Sequence, residues 1–136
     1  MLSLADIEAA RDRVSDVALH TALESQRTFS RMTGADVQLK FENTQRTGSF
    51  KIRGATNRIR TLSPAERENG VITASAGNHA QGVALAAQRS DVDALIVMPE
   101  FAPISKVNAT QSYGAETELY GADYADAQER AHELAA

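Results

Sequence analysis

From residue 70 onward the hydrophobic period of the chain switches back and forth, and that alternation most narrows what it can fold into. Val71-Ile72-Thr73-Ala74 reads as a short strand, followed by a small-residue loop and an Ala-rich helix to about Gln88. Ala94-Leu95-Ile96-Val97-Met98 reads as a buried strand, and Pro99 and Pro103 lead into a helix over 103–113 that Gly114 stops. Thr117 to Tyr120 form the next strand, and a last helix runs from Asp123 to Ala136 with no C-cap. Strands and helices alternating through short connections imply right-handed βαβ crossovers. The expected class is therefore α/β, an open parallel sheet with flanking helices.

The first seventy residues are less regular. Residues 3–13 read as an amphipathic helix, with Ser3 as N-cap and Leu4, Ile7 and Ala10 sharing a face. An extended piece near Leu23 and a helix over 25–33 closed by Gly34 follow. Val37 to Phe41 alternates strictly, as a half-buried strand does. A polar loop over 42–48 leads to a helix opened by Ser49 and running to about Arg60, and Ser63-Pro64 begins another.

Length and charge bound the function classes. At 136 residues the chain is long enough for one core of its own. The net charge is -4 and the 14 Lys and Arg are scattered, which argues against nucleic acid or an anionic membrane as main partner. The absence of cysteine removes disulfides, thiolate metal sites and Cys nucleophiles. No apolar run approaches the roughly 18 residues of a membrane span, and the N-terminus turns charged too early for a signal peptide, so a cytoplasmic protein is expected. A helix ending without a cap at Ala136 leads us to expect that the natural chain continues.

Two features suggest chemistry. Lys51, the only lysine between Lys40 and Lys106, falls in the first turn of a helix just after Thr47-Gly48-Ser49-Phe50. Cations are disfavoured at a helix N-terminus, and a neutral amine is what a Schiff-base nucleophile needs. The bland alternative is a solvated surface lysine. The second feature is the loop Ser75-Ala76-Gly77-Asn78-His79 between a strand and a helix. Free N–H groups there bind anions, and the carboxyl ends of parallel strands are where ligands collect. The alternative is a plain capping loop in which Asn78 serves the backbone. Gly77 and Gly82 have the spacing that makes up the first half of a P-loop but lack the Lys-Ser/Thr that completes it, so Gly82 is expected to let its helix pack closely on the sheet. His132-Glu133 would begin a zinc motif whose second His is Ala136, leaving no metal site to predict.

Lys40 through Ala55, containing Thr47-Gly48-Ser49-Phe50-Lys51, closely resembles the cofactor-lysine segment of threonine/serine dehydratases. These are fold type II, tryptophan-synthase-β-like enzymes that use pyridoxal 5'-phosphate. Ser75 to Gly82 resembles their substrate-carboxylate loop, and Met98 through Glu116 is also similar. The resemblance implies that Lys51 holds the cofactor covalently and takes the substrate α-proton. It places Phe50 near the pyridine ring and Asn78 on the cofactor's phenolic oxygen, while Ser75, Gly77, Asn78 and His79 hold the substrate carboxylate. The implied reaction is loss of water from threonine or serine, giving a 2-oxo acid and ammonia, in a homo-oligomer when full length. Related serine racemases have a serine acid/base where this chain has Ala76, which favours elimination over racemisation. Ala22 stands where relatives commonly have proline. The family's glycine-rich phosphate loop has no counterpart here, so the fold is expected to be incomplete. Residues 1–52 would be the N-terminal part of the large cofactor domain and 53–136 most of the small one. The competing readings are a serine racemase-like enzyme and a non-catalytic α/β fragment binding anions weakly at 75–79.

Overall fold

The computed structural model describes residues 1–136. Helix α1 (Leu4–Val14) starts at Ser3, whose hydroxyl accepts from the Asp6 amide while the Asp6 carboxylate accepts from the Ser3 amide. The expected apolar face of α1 is not covered: Leu4 and Ile7 are 71% and 53% exposed, and only Val14 is buried. Polar contacts fasten this end of the chain instead. Arg13 Nε donates to Asn57 Oδ1 at 2.7 Å, and Arg60 donates to the Asp16 carboxylate at 2.8 Å.

Strands β1 (Leu23–Ser25) and β2 (Gln38–Lys40) form a short antiparallel pair, with Leu23 opposite Lys40. Between them lies α2 (Arg27–Thr33), ended by Gly34 in the left-handed conformation at φ 73°. A 3-10 turn at Glu42–Thr44 opens the polar loop, and α3 (Lys51–Arg60) follows it. Helix α4 (Pro64–Asn69) has the expected Ser63 cap, completed by Glu66 and by Pro64 in the first turn.

The remainder follows the alternation read from its sequence: β3 (Val71–Ala74), α5 (Asn78–Gln88), β4 (Ala94–Met98), α6 (Ile104–Gln111), β5 (Glu116–Leu119) and α7 (Tyr124–Leu134). The three strands are parallel in the order β3-β4-β5, with Ile72 opposite Leu95 and Ile96 opposite Thr117. Helix α6 is shorter than expected at both ends, and β5 begins one residue earlier. Helix α7 stops at Leu134, where the Ala135 amide turns back to the carbonyls of Ala131 and Glu133.

Both faces of the sheet are covered, which is why β4 reads as an unbroken apolar run. Ala94, Ile96 and Met98 face a core shared with Ile52, Ala55 and Ile59 of α3 and with the Ala-rich α5. Val97 and Ala74 face the other way, against Ala127 and Ala131 of α7. The small side chains of α5 let α3 stack on it as a further layer, so the helix that begins at Lys51 is held against the one that begins at Asn78. No helix is long and apolar enough to cross a membrane.

Candidate active site

Lys51 is the first residue of α3 and its side chain is exposed. The turn before it is polar yet buried: Thr47 and Ser49 are 6% and 8% exposed. Ser49 Oγ accepts from the Lys51 amide at 3.4 Å, and the Thr47 hydroxyl has no partner in the chain. Phe50 is 59% exposed, with the Lys51 ammonium 5.3 Å from the centre of its ring.

The loop after β3 carries the second group of residues. Ser75 caps α5, its Oγ accepting from the amides of Gly77 at 3.3 Å and Ala80 at 3.2 Å. The capping role weighed for Asn78 thus belongs to Ser75, and the Asn78 side chain is left exposed and unengaged. The amides of Ala76, Asn78 and His79 donate to no acceptor in the chain, so three N–H groups stand open at the start of an eleven-residue helix. With its lone pairs turned to the backbone, the Ser75 hydroxyl keeps its own proton to offer.

The two groups meet where α3 packs on α5. Burial, and secondarily the Lys51 ammonium, hold the His79 imidazole below its ordinary pKa of 6.5, so His79 is neutral at pH 7. His79 is exposed on one side and on the other lines a groove of about 490 Å³ with Gly54, Ile59, Thr73 and Val83. A hollow of about 510 Å³ beside Asp93 and Gly114 lies at the opposite end of the sheet from this loop. Gly82 corrects an expectation. It does not face the sheet; a Cβ there would lie 3.1 Å from the Lys51 carbonyl carbon and Cβ and 3.2 Å from the Ile52 nitrogen.

Sequence reasoning missed the polar frame behind Lys51. Gln45 is 4% exposed and grips Leu19 at both ends: its Oε1 accepts from the Leu19 amide at 2.8 Å and its Nε2 donates to the Leu19 carbonyl at 3.0 Å. Arg46 Nε donates to the Val17 carbonyl at 2.7 Å. Arg53, two residues after the lysine, donates twice to Glu42, at 2.9 and 2.8 Å, and once to the Leu19 carbonyl. Glu42 also accepts from the Thr21 hydroxyl at 2.6 Å. The Arg53 hydrogen bonds, aided by that of Thr21, hold the Glu42 carboxyl at about 2. Only the polarity of the run Glu42 to Arg46 hints at this frame, because its partners are backbone groups remote in sequence.

An exposed primary amine beside three open amides and a donor hydroxyl fits a carbonyl-bearing cofactor together with an anionic substrate group. Comparison with known proteins points the same way. A family model described as pyridoxal-phosphate dependent enzyme matches residues 14–136. Over 131 residues the chain is 50% identical to the L-threonine ammonia-lyase of Thermotoga maritima, covering 96% of this chain and 33% of that protein. Over 133 residues it is 43% identical to the catabolic L-threonine dehydratase TdcB of Escherichia coli K12, covering 98% and 40%. Among solved structures, threonine deaminase isoform 2 from Solanum lycopersicum superposes with a TM-score of 0.84 at 42% identity, over 98% of this chain and 38% of that one. Maize serine racemase superposes with a TM-score of 0.88 at 34% identity, over 97% and 40%. The chain thus spans 33–40% of the length of these relatives.

Proposed function

The chain belongs to the pyridoxal-phosphate dependent enzyme family, and from that membership we propose that it supplies the cofactor lysine and the substrate-carboxylate loop of a threonine dehydratase. The observation that carries this reading is the stacking of α3 on α5, which sets Lys51 beside the open amides of Ala76, Asn78 and His79. When bound, pyridoxal phosphate withdraws electrons from the substrate α-carbon. Lys51 would hold the cofactor through Nζ, and the same nitrogen would serve as the base that takes the substrate α-proton. Phe50, whose ring is exposed, would pack beside the pyridine, and Asn78 would donate to the phenolic oxygen. Ser75 through its hydroxyl, and Gly77, Asn78 and His79 around the helix start, hold the substrate carboxylate and so orient the bond that breaks. The net change converts threonine to 2-oxobutanoate and ammonia.

In the whole enzyme, residues 1–52 belong to the large cofactor domain and 53–136 to the small one. We place that enzyme in the cytoplasm as a homo-oligomer. Likeness to maize serine racemase supports a second reading, a racemase. Ala76 disfavours it, since a methyl group cannot deliver a proton to the opposite face of the substrate. Borohydride trapping and peptide mapping of the full-length protein test the lysine: the cofactor should be found on Lys51, and any other residue refutes the assignment. Chiral analysis of serine after incubation separates the reactions, with D-serine at a rate matching elimination favouring the racemase.

A further inference from the structure

Gly82 sits fifth in the eleven residues of α5, buried, where a glycine weakens a helix relative to alanine. Its backbone has no left-handed angle to explain it. What its missing side chain makes room for is the backbone of Lys51. A Cβ at residue 82 would stand 3.1 Å from Lys51 C and Cβ and 3.2 Å from Ile52 N. Ordinary carbon contacts lie at about 3.5–4.0 Å. Two of those neighbours are main-chain atoms, and Ile52 is fully buried in the core, so α3 can yield only by moving as a body. Gly54, on α3 itself, is exposed and meets nothing within 4 Å, so the close approach is made by α5 alone.

We infer that Gly82 is a positioning residue for Lys51: its lack of a side chain sets how closely α3 rides on α5, and so where the lysine stem starts relative to the loop at 75–79. This rests on the cofactor-lysine reading above. A free lysine stem absorbs a few tenths of an ångström, but one tied at both ends does not. The effect of a displaced Lys51 Cα therefore appears in the tethered state.

The test compares Gly82→Ala with Gly54→Ala in the full chain. With pyridoxal phosphate as probe, Gly82→Ala should weaken cofactor binding by roughly tenfold or more, as expected for a displaced reacting group. It should also move the pH midpoint of the lysine–cofactor absorption band, while Gly54→Ala leaves both unchanged. A second measurement needs no cofactor. The thermal destabilisation caused by Gly82→Ala should shrink by about a third in a Lys51→Gly background, where one of the three close contacts, Cβ to Cβ, is gone. If Gly82→Ala alone fails to fold, folding of the Gly82→Ala/Lys51→Gly pair supports the inference, and folding restored by Ile52→Ala but not by Lys51→Gly overturns it. An equal penalty in the two backgrounds, or unchanged binding and midpoint, also overturns it. Absence of any adduct on unaltered Lys51 would instead sink the cofactor-lysine reading, leaving the stability comparison to decide the Gly82 contact.

Discussion

Of the buried apolar side chains, only Val14 and Val17 come from the first fifty residues; the rest lie at or beyond Ile52. The N-terminal segment is instead tied down by charged and amide side chains reaching backbone groups: Gln45 to Leu19, Arg46 to Val17, Lys40 to Thr21. The α/β part relies on area removed from water, with an Ala-rich helix packed between a sheet and a second helix. One half resists by burial, which is indifferent to pH and to the screening of charge. The other resists by hydrogen bonds to charges, which are not. Lys51 stands at the seam, its side chain reached through the polar half and its helix seated in the apolar one.

Three measurements bear on that contrast. Ile96→Ala removes a fully buried side chain from the central strand and should cost about 2–5 kcal/mol, lowering the main thermal transition. A loss confined to the N-terminal segment would contradict the division. Glu42→Gln should cost less, about 1 kcal/mol, because Arg53 is 35% exposed and partly screened by water. Its signature is regional: faster amide exchange at 17–21 and 42–47 with the sheet unchanged. Acid should reproduce that effect. The Glu42 pKa is depressed in the folded chain, so its contribution is complete above the ordinary value of 4.5 and disappears as pH falls toward about 2. Protection factors near Leu19, taken relative to the intrinsic exchange rate at each pH, should fall across that window, and a flat profile there would break the link between Glu42 and the segment.

The two halves were also unequally legible in the sequence. β3 and β4 have the bounds their residues suggest, since a buried parallel strand announces itself in a local apolar run. The helix of α1 and its Ser3 cap are legible, but Leu4 and Ile7 show a period without showing what, if anything, covers their face. The Gln45 grip lies across 26 residues and ends on backbone atoms, which look alike in every sequence. Gly82 was assigned to the wrong neighbour: a helix period marks the residues on one face, but α5 has α3 on one side and the sheet on another. Position in the local pattern singles out the lysine and its loop, and resemblance supplies their roles. Their meeting in space depends on the stacking of two helices, which no local pattern encodes.

The position of α7 has a consequence for the order in which the chain is made. One face of the sheet is closed by α5, which lies between β3 and β4 in the chain. The other waits for Ala127 and Ala131, roughly fifty residues after Ala74, so its closure spans a long loop. On the ribosome, therefore, Ala74 and Val97 emerge as a bare surface before Ala127 and Ala131 have left the exit tunnel to lie against them. During that interval the half-built sheet is a client for whatever holds nascent chains apart.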